Sequence, residues 1–313
     1  MHAVVIDPDL KLHRQWPEPE LTPGEAIVTP TLTGICKTDL ELVKGYMGFR
    51  GVLGHEFVGV VTACQDDSWL GRRVVGEINC APPGVTVEDP RHLAGRSVLG
   101  IFARDGVMAE RFRLPIANLL AVPEDTPDEV AVFTEPLAAA YQIEDQLGQL
   151  PDSALVLGDG KLGCLCALAL AERGCAATLV GKHRDKLAKV ADKVQTETVD
   201  RLEALSAEFP LVVEATGSPS GLPAALQRVR PGGTIVLKTT VAAPHQIDLA
   251  PIVINEIRLL GSRCGRFAPA LDALSRGRID PRFLIEATFP LEQAMEAFAR
   301  AERPGAGKVL LQH

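Results

Sequence analysis

No segment of this sequence is expected to send the chain out of the cell or to anchor it. Its start, "MHAVVIDPDL", has no basic stretch leading into an apolar core, so a secretory signal is not expected. The longest apolar runs, such as "CLCALALA", are far too short to span a bilayer. Excess positive charge is missing too: 32 Lys and Arg stand against 40 Asp and Glu, a formal net charge of −8. Nothing there attracts a phosphate backbone, and acidity of this size reads as a solvated exterior. Repeats, charge blocks and low-complexity segments are absent. Seven cysteines, an odd number scattered from Cys36 to Cys264, form no disulfide framework and suit a reducing cytosol, most of them as small buried hydrophobes. The expectation is a cytoplasmic protein with neither nucleic acid nor membrane as partner.

What is present reads as two domains. A chain of 313 residues exceeds a typical single core, and 46% apolar with 23% charged residues is ordinary globular composition. Short β-rich runs punctuated by Gly and Pro fill the first part: "HAVVID", "EAIVTPTLTGI", "FVGVVTAC", "RRVVGEI" and "AERFRL". From about Thr134 strand and helix alternate, through "EPLAAAYQIEDQL", "SALVLG", "KLGCLCALALAERG", "AATLVG", "RDKLAKVADKV" and "PLVVEATG". Such alternation predicts a parallel sheet covered on both faces. The tail, "LEQAMEAFARAER" then "GKVLLQ", reads as an amphipathic helix and a closing strand. The fold class is α/β: a β-rich domain over 1–136, a doubly wound parallel sheet over 137–263, and a return to the first domain over 264–313.

"LVLGDGKLG" places Gly158, Gly160 and Gly163 in G-x-G-x-x-G spacing between a predicted strand and a predicted helix, with Lys161 and Leu162 inside the motif. One glycine makes the tight turn, one lets the backbone approach a pyrophosphate, and one permits close helix–strand packing. The helix N-terminus then offers free N–H groups to the phosphates. At the end of the next strand, where an NAD site usually carries an acid, stands Gly181, followed by Lys182, His183 and Arg184. Basic groups attract a 2′-phosphate, so NADP is expected, with NAD as the alternative; a solvated helix start that binds nothing is the plainer reading.

"GICKTD" carries Cys36 and Asp39, "GHE" carries His55 and Glu56 about 20 residues on, and Glu135 opens "EPLAAA". Thiolate, imidazole and carboxylate in an open tetrahedral set are the ligands of a catalytic zinc. Taken singly, each has a structural explanation: a buried thiol, a core imidazole, a helix-start carboxylate. Together, beside a dinucleotide loop, they point to one metal.

In this order, "GICKTD", "GHEFVGVV", "EPLAAA", "GDGKLG" and "VVEATG" resemble the zinc-dependent medium-chain alcohol dehydrogenase family, its polyol and threonine dehydrogenase branch in particular, over essentially the whole chain. The resemblance implies a GroES-like catalytic domain, a Rossmann cofactor domain and a homo-oligomer, most simply a dimer. It implies zinc on Cys36, His55 and Glu135, with Glu56 able to coordinate or to approach the metal from behind. Thr38 takes the position of the hydroxyl that relays the substrate proton, and Asp39 that of the carboxylate orienting the histidine. Lys37 and Lys308 resemble residues that contact the cofactor pyrophosphate, and Thr216, in "VVEATG", lies in a cofactor-binding segment. A small alcohol or carbonyl compound, leaning towards polyols or sugar derivatives, is the implied substrate.

The chain departs from that family in one lobe. "GEINCAPPGVTVEDPRHLAGRSVLG" keeps only Cys80 where relatives carry four closely spaced cysteines, and one thiol, even with His92, cannot close a tetrahedral site. No structural zinc is expected. A histidine some relatives use to pass the proton outwards is also missing, with Glu41 nearby. Tyr46, Met47 and Phe49 are candidates for a substrate wall or for ordinary packing. Two other functions share the fold: a zinc-free NADPH-dependent quinone or enone reductase, and a non-enzymatic NADP-binding regulator.

Overall fold

Runs of Val, Ile and Thr build the first of two compact units, Met1–Glu135 with Phe267–His313; Pro136–Arg266 forms the second. The computed structural model describes residues 1–205, 208–239 and 246–313. In the first unit the 11-residue strand Glu25–Ile35 is central. It pairs antiparallel with Glu56–Cys64 on one side and with Lys308–Gln312 on the other, while Phe112–Pro115 joins its N-terminal half. Pro30 cannot donate to a ladder, and the register with Glu56–Cys64 shifts between Pro30 and Leu32. The sheet runs Leu119–Ala121, Arg73–Gly76, Glu56–Cys64, Glu25–Ile35, Lys308–Gln312, Ile285–Pro290. The last pair is parallel, so the C-terminal segment completes the N-terminal sheet. Ile35, Leu40, Leu42, Leu53, Met108, Phe298, Val309 and Leu311 pack into one buried cluster. That cluster seats the helix Lys37–Val43 against the sheet and fixes the residues at its start.

In the second unit the described residues form six strands, all parallel, in the order Gln195–Thr198, Ala176–Gly181, Ser153–Leu157, Phe209–Glu214, Val229–Leu237, Arg258–Gly261. This is the doubly wound order, and ligands bind at the carboxyl ends of such strands where the order reverses. Leu155, Leu157, Val180, Val212 and Ile235 fill the core. Near-continuous apolar runs such as "SALVL" are what a strand buried on both faces requires.

Three features differ from the sequence reading. The helix expected over "RDKLAKVADKV" spans only Arg184–Ala188, because the chain must turn back at once into Gln195–Thr198, which pairs with Ala176–Gly181. Arg258–Gly261, largely exposed at the sheet edge, shows no apolar alternation to announce it. The helix Phe267–Ser275 also went unforeseen. Among the described residues no helix is long and apolar enough to cross a membrane.

Candidate functional site

In the first unit the site starts at the end of the central strand. Cys36 follows Ile35 and caps the helix Lys37–Val43. Asp39, wholly buried, accepts the Cys36 backbone N–H on Oδ2 at 2.7 Å. Its other oxygen, Oδ1, lies 3.4 Å from Nδ1 of the buried His55. One carboxylate thus bonds the thiol-bearing backbone and faces the imidazole ring, with Oδ1 and Nδ1 buried and without a hydrogen-bond partner among the described residues. Burial would by itself lower the His55 pKa; the charge and hydrogen bond of Asp39, helped by Cys36, reverse this and hold it well above the usual value.

Glu56 opens its strand directly opposite Gly34. A Cβ on Gly34 would sit 2.2 Å from Glu56 Oε2, so the missing side chain is what lets this carboxylate fold over the sheet. There Oε2 accepts from the Lys308 ammonium, while Oε1 is buried with no hydrogen-bond partner. Lys308 is itself buried, 5.8 Å from the centre of the Phe133 ring. Burial would depress its pKa, but Glu56 and then Cys36 raise it, keeping the ammonium charged.

Ligand atoms of Cys36, His55 and Glu56 all lie within 4.8 Å of one another. Soft thiolate, imidazole and carboxylate suit zinc, and His55, with Nδ1 turned to Asp39, presents its other nitrogen. The orphaned Glu56 Oε1 is an acceptor that a cation would satisfy. The residues therefore fit a single divalent ion. Glu135, in the first turn of the helix Thr134–Leu147, is half-buried and stands outside that triplet. Burial pushes its carboxyl up to about 7, with His55 opposing and Glu56 reinforcing the rise.

Around the triplet, Thr38 Oγ1 lies 3.7 Å from Cys36 Sγ and is half-buried. Lys37 is exposed and 3.1 Å from Glu41, which also meets Lys44 at 3.7 Å. Phe49 is buried in the core cluster, whereas Tyr46 and Met47 are exposed. Cys80 is wholly buried, its thiol pushed up to about 11 by desolvation, while His92 is exposed. The shortened lobe returns from Cys80 to the strand Ser97–Val98, which pairs with Asn79–Cys80.

In the second unit the glycine loop follows the strand Ser153–Leu157. Gly158 adopts φ +111°, and a Cβ there would meet the Ala215 carbonyl oxygen at 2.5 Å; one on Gly163 would meet the Gly158 carbonyl oxygen at 1.8 Å. Gly160, the helix cap, faces open space within 4 Å. A tight turn, an open cap and the start of the helix Lys161–Glu172 make a cradle that a pyrophosphate fits. Lys161 and Leu162, both half-buried, begin that helix. Lys182, His183 and Arg184 are exposed beyond Gly181. Thr216 is held by Glu214, whose Oε1 accepts from Thr216 N at 2.8 Å, from Thr216 Oγ1 at 2.6 Å and from Thr239 Oγ1 at 3.0 Å. Sequence reasoning passed over Glu214, although it stands in the middle of "VVEATG". It also missed the Glu56–Lys308 pair and the carboxylate of Asp159, the variable residue of the glycine loop.

Comparison with known proteins agrees with both units. Residues 22–124 match the alcohol dehydrogenase GroES-like domain, and 128–304 the glucose dehydrogenase C-terminus. Glucose 1-dehydrogenase of Thermoproteus tenax is 31% identical over 95% of this chain and 96% of that protein. D-altritol 5-dehydrogenase of Agrobacterium fabrum is 30% identical over 96% of each. Among solved structures, the alcohol dehydrogenase RspB of Escherichia coli CFT073, complexed with NADH, superimposes with a TM-score of 0.88 at 25% identity, covering 100% of this chain and 99% of that one. The chain belongs to the zinc-type medium-chain alcohol dehydrogenase family. It is an NAD(P)-dependent dehydrogenase acting on CH–OH groups.

Proposed function

We propose that this enzyme oxidises a secondary alcohol of a polyol or sugar derivative, or reduces the matching carbonyl, with one catalytic zinc on Cys36, His55 and Glu56 and no structural zinc. The close donor triplet, with His55 and Glu56 buried and Cys36 half-buried, carries this reading. Glu135, half-buried in the first turn of the helix Thr134–Leu147, is available to exchange with Glu56 or with water. When bound, zinc supplies a positive charge that makes an alcohol proton easier to lose and polarises a carbonyl. The chain's own residues do the rest. Asp39 holds the His55 ring and the Cys36 backbone in place, and Lys308 holds Glu56. The Thr38 hydroxyl, beside the Cys36 sulfur, accepts the substrate proton, and Glu41, on the same short helix, lies on its way to solvent. In the second unit the glycine loop binds the pyrophosphate and Thr216, tied to Glu214, steadies the adjoining loop, so that orientation of the dinucleotide is settled before reaction.

The substrate class rests on relatives named for glucose, altritol and threonine. The donor set also disfavours a zinc-free reductase or a cofactor-binding regulator, neither of which needs a thiol, imidazole and carboxylate converging within 4.8 Å. A homodimer is proposed on the strand Arg258–Gly261, which among the described residues pairs on one side only, and on the exposed Leu249, Val253 and Ile254 that precede it in the chain. Location in the cytoplasm fits free cysteines throughout. Basic residues after Gly181 favour NADP, while Asp159 bears on the same choice from the other side.

The test is zinc quantification on the purified protein, with dinucleotide reduction followed over a panel of polyols, aldoses and amino alcohols. One zinc per chain and turnover of hydroxylated substrates are expected. Full turnover after complete zinc removal would overturn the reading.

A further inference from the structure

Gly181 ends the second parallel strand of the cofactor unit with no side chain, where an acid would mark an NAD site. The space is not empty. A Cβ built on Gly181 would lie 2.3 Å from the Cβ of Asp159, 2.5 Å from its Cγ and 2.5 Å from its Oδ2. The side chain of Asp159 thus fills the space that a side chain on residue 181 would start from, and brings a carboxylate to the end of that strand from the glycine loop. It is 7% exposed, and a buried charge needs partners. Those present come from one residue: the His183 N–H donates to Oδ2 at 2.6 Å, and His183 Nδ1 lies 3.0 Å from Oδ2 and 3.1 Å from Oδ1. Each carboxylate oxygen can accept more than one hydrogen bond, so acceptor capacity remains for a ribose hydroxyl.

We propose that Asp159 is the cofactor-specificity residue of this enzyme: its carboxylate replaces the missing strand-end acid, accepts from the adenosine ribose 2′-hydroxyl, and selects NAD over NADP. This rests on the dehydrogenase reading above and departs from the NADP expected of the basic sequence. Lys182 and Arg184 are exposed and can swing through solvent, where their attraction for a 2′-phosphate is screened. Asp159 is buried and pinned, so a phosphate dianion brought to the same place meets a negative charge that cannot move away. A fixed, desolvated repulsion outweighs mobile, solvated attraction.

The experiment measures Kd for NAD and for NADP by calorimetry on the zinc-loaded protein without substrate, and kcat/KM with each, in wild type and Asp159→Asn. The asparagine keeps a carbonyl oxygen for the His183 N–H while removing the charge. Wild type should bind NAD more tightly than NADP, and the variant should lose about tenfold to a hundredfold of that preference, the worth of one charge-assisted hydrogen bond. The paired change Asp159→Gly with Gly181→Asp returns the carboxylate to the strand and should restore NAD preference, which guards against a misfolded single variant. Tighter binding of NADP by wild type, or an unchanged ratio in Asp159→Asn, overturns the assignment while leaving the dehydrogenase intact. Binding of neither dinucleotide would overturn the dehydrogenase reading and the assignment with it.

Discussion

Gly34→Ala is a one-carbon change that should disturb the metal site from outside it. The new Cβ would stand 2.2 Å from Glu56 Oε2, against an ordinary contact of about 3.4–4 Å, so the carboxylate must retreat by more than about 1 Å. It cannot do so freely, because the same oxygen holds the buried Lys308 ammonium. Overpacking of this kind costs about 1–3 kcal/mol, or a fall in Tm of roughly 3–10 °C for a unit of this size. The displaced carboxylate should also weaken zinc binding by about tenfold or more. Calorimetric melting and a chelator-competition titration read the two effects. In a Glu56→Ala background only the 3.3 Å approach to the Cβ of residue 56 is left, so adding Gly34→Ala should cost much less than in wild type. An undiminished Tm and zinc affinity in Gly34→Ala, or full additivity with Glu56→Ala, would refute the reasoning.

Asp39→Asn should keep the fold yet lower zinc affinity about 10- to 100-fold, since it weakens the group orienting His55; competition with a fluorescent chelator measures it. Cys80→Ala should leave zinc per chain unchanged by elemental analysis, because this buried thiol, held at about 11, stands outside the donor triplet. His313, whose Nε2 lies 3.1 Å from Thr33 Oγ1, is lowered by burial to about 4 from 6.5. Below the unfolded value the unfolded chain takes up a proton that the folded chain refuses, so stability should be full above about pH 6.5 and fall as pH drops towards 4. The loss is at most about 3 kcal/mol, and His313→Gln should remove that component of the pH–stability curve measured by urea melts.

Much of this was legible because chemistry and backbone geometry share the same short words. "GDGKLG" announces a turn, an open cap and a helix start whatever surrounds it, and the alternation of apolar runs with helical stretches gives a parallel sheet. "GICKTD" and "GHE" name Cys36, Asp39, His55 and Glu56 because thiols, imidazoles and acids are scarce in β-rich apolar segments. What stayed hidden depends on contacts between distant positions. Nothing in "GKVLL" says that Lys308 folds back onto Glu56, 252 residues away. Gly181 looks like an absent acid until Asp159, 22 positions earlier, is seen over it. The edge strand Arg258–Gly261 has no period to read, since a strand exposed along most of its length needs none.

Anomalous diffraction at the zinc edge, on crystals of the enzyme grown with its dinucleotide, examines the core of the account most directly. A single peak among Cys36 Sγ, His55 and Glu56, with none beside Cys80, is the expected result. Full-length protein that yields no zinc peak at the triplet, or a peak at some other cluster, would contradict it.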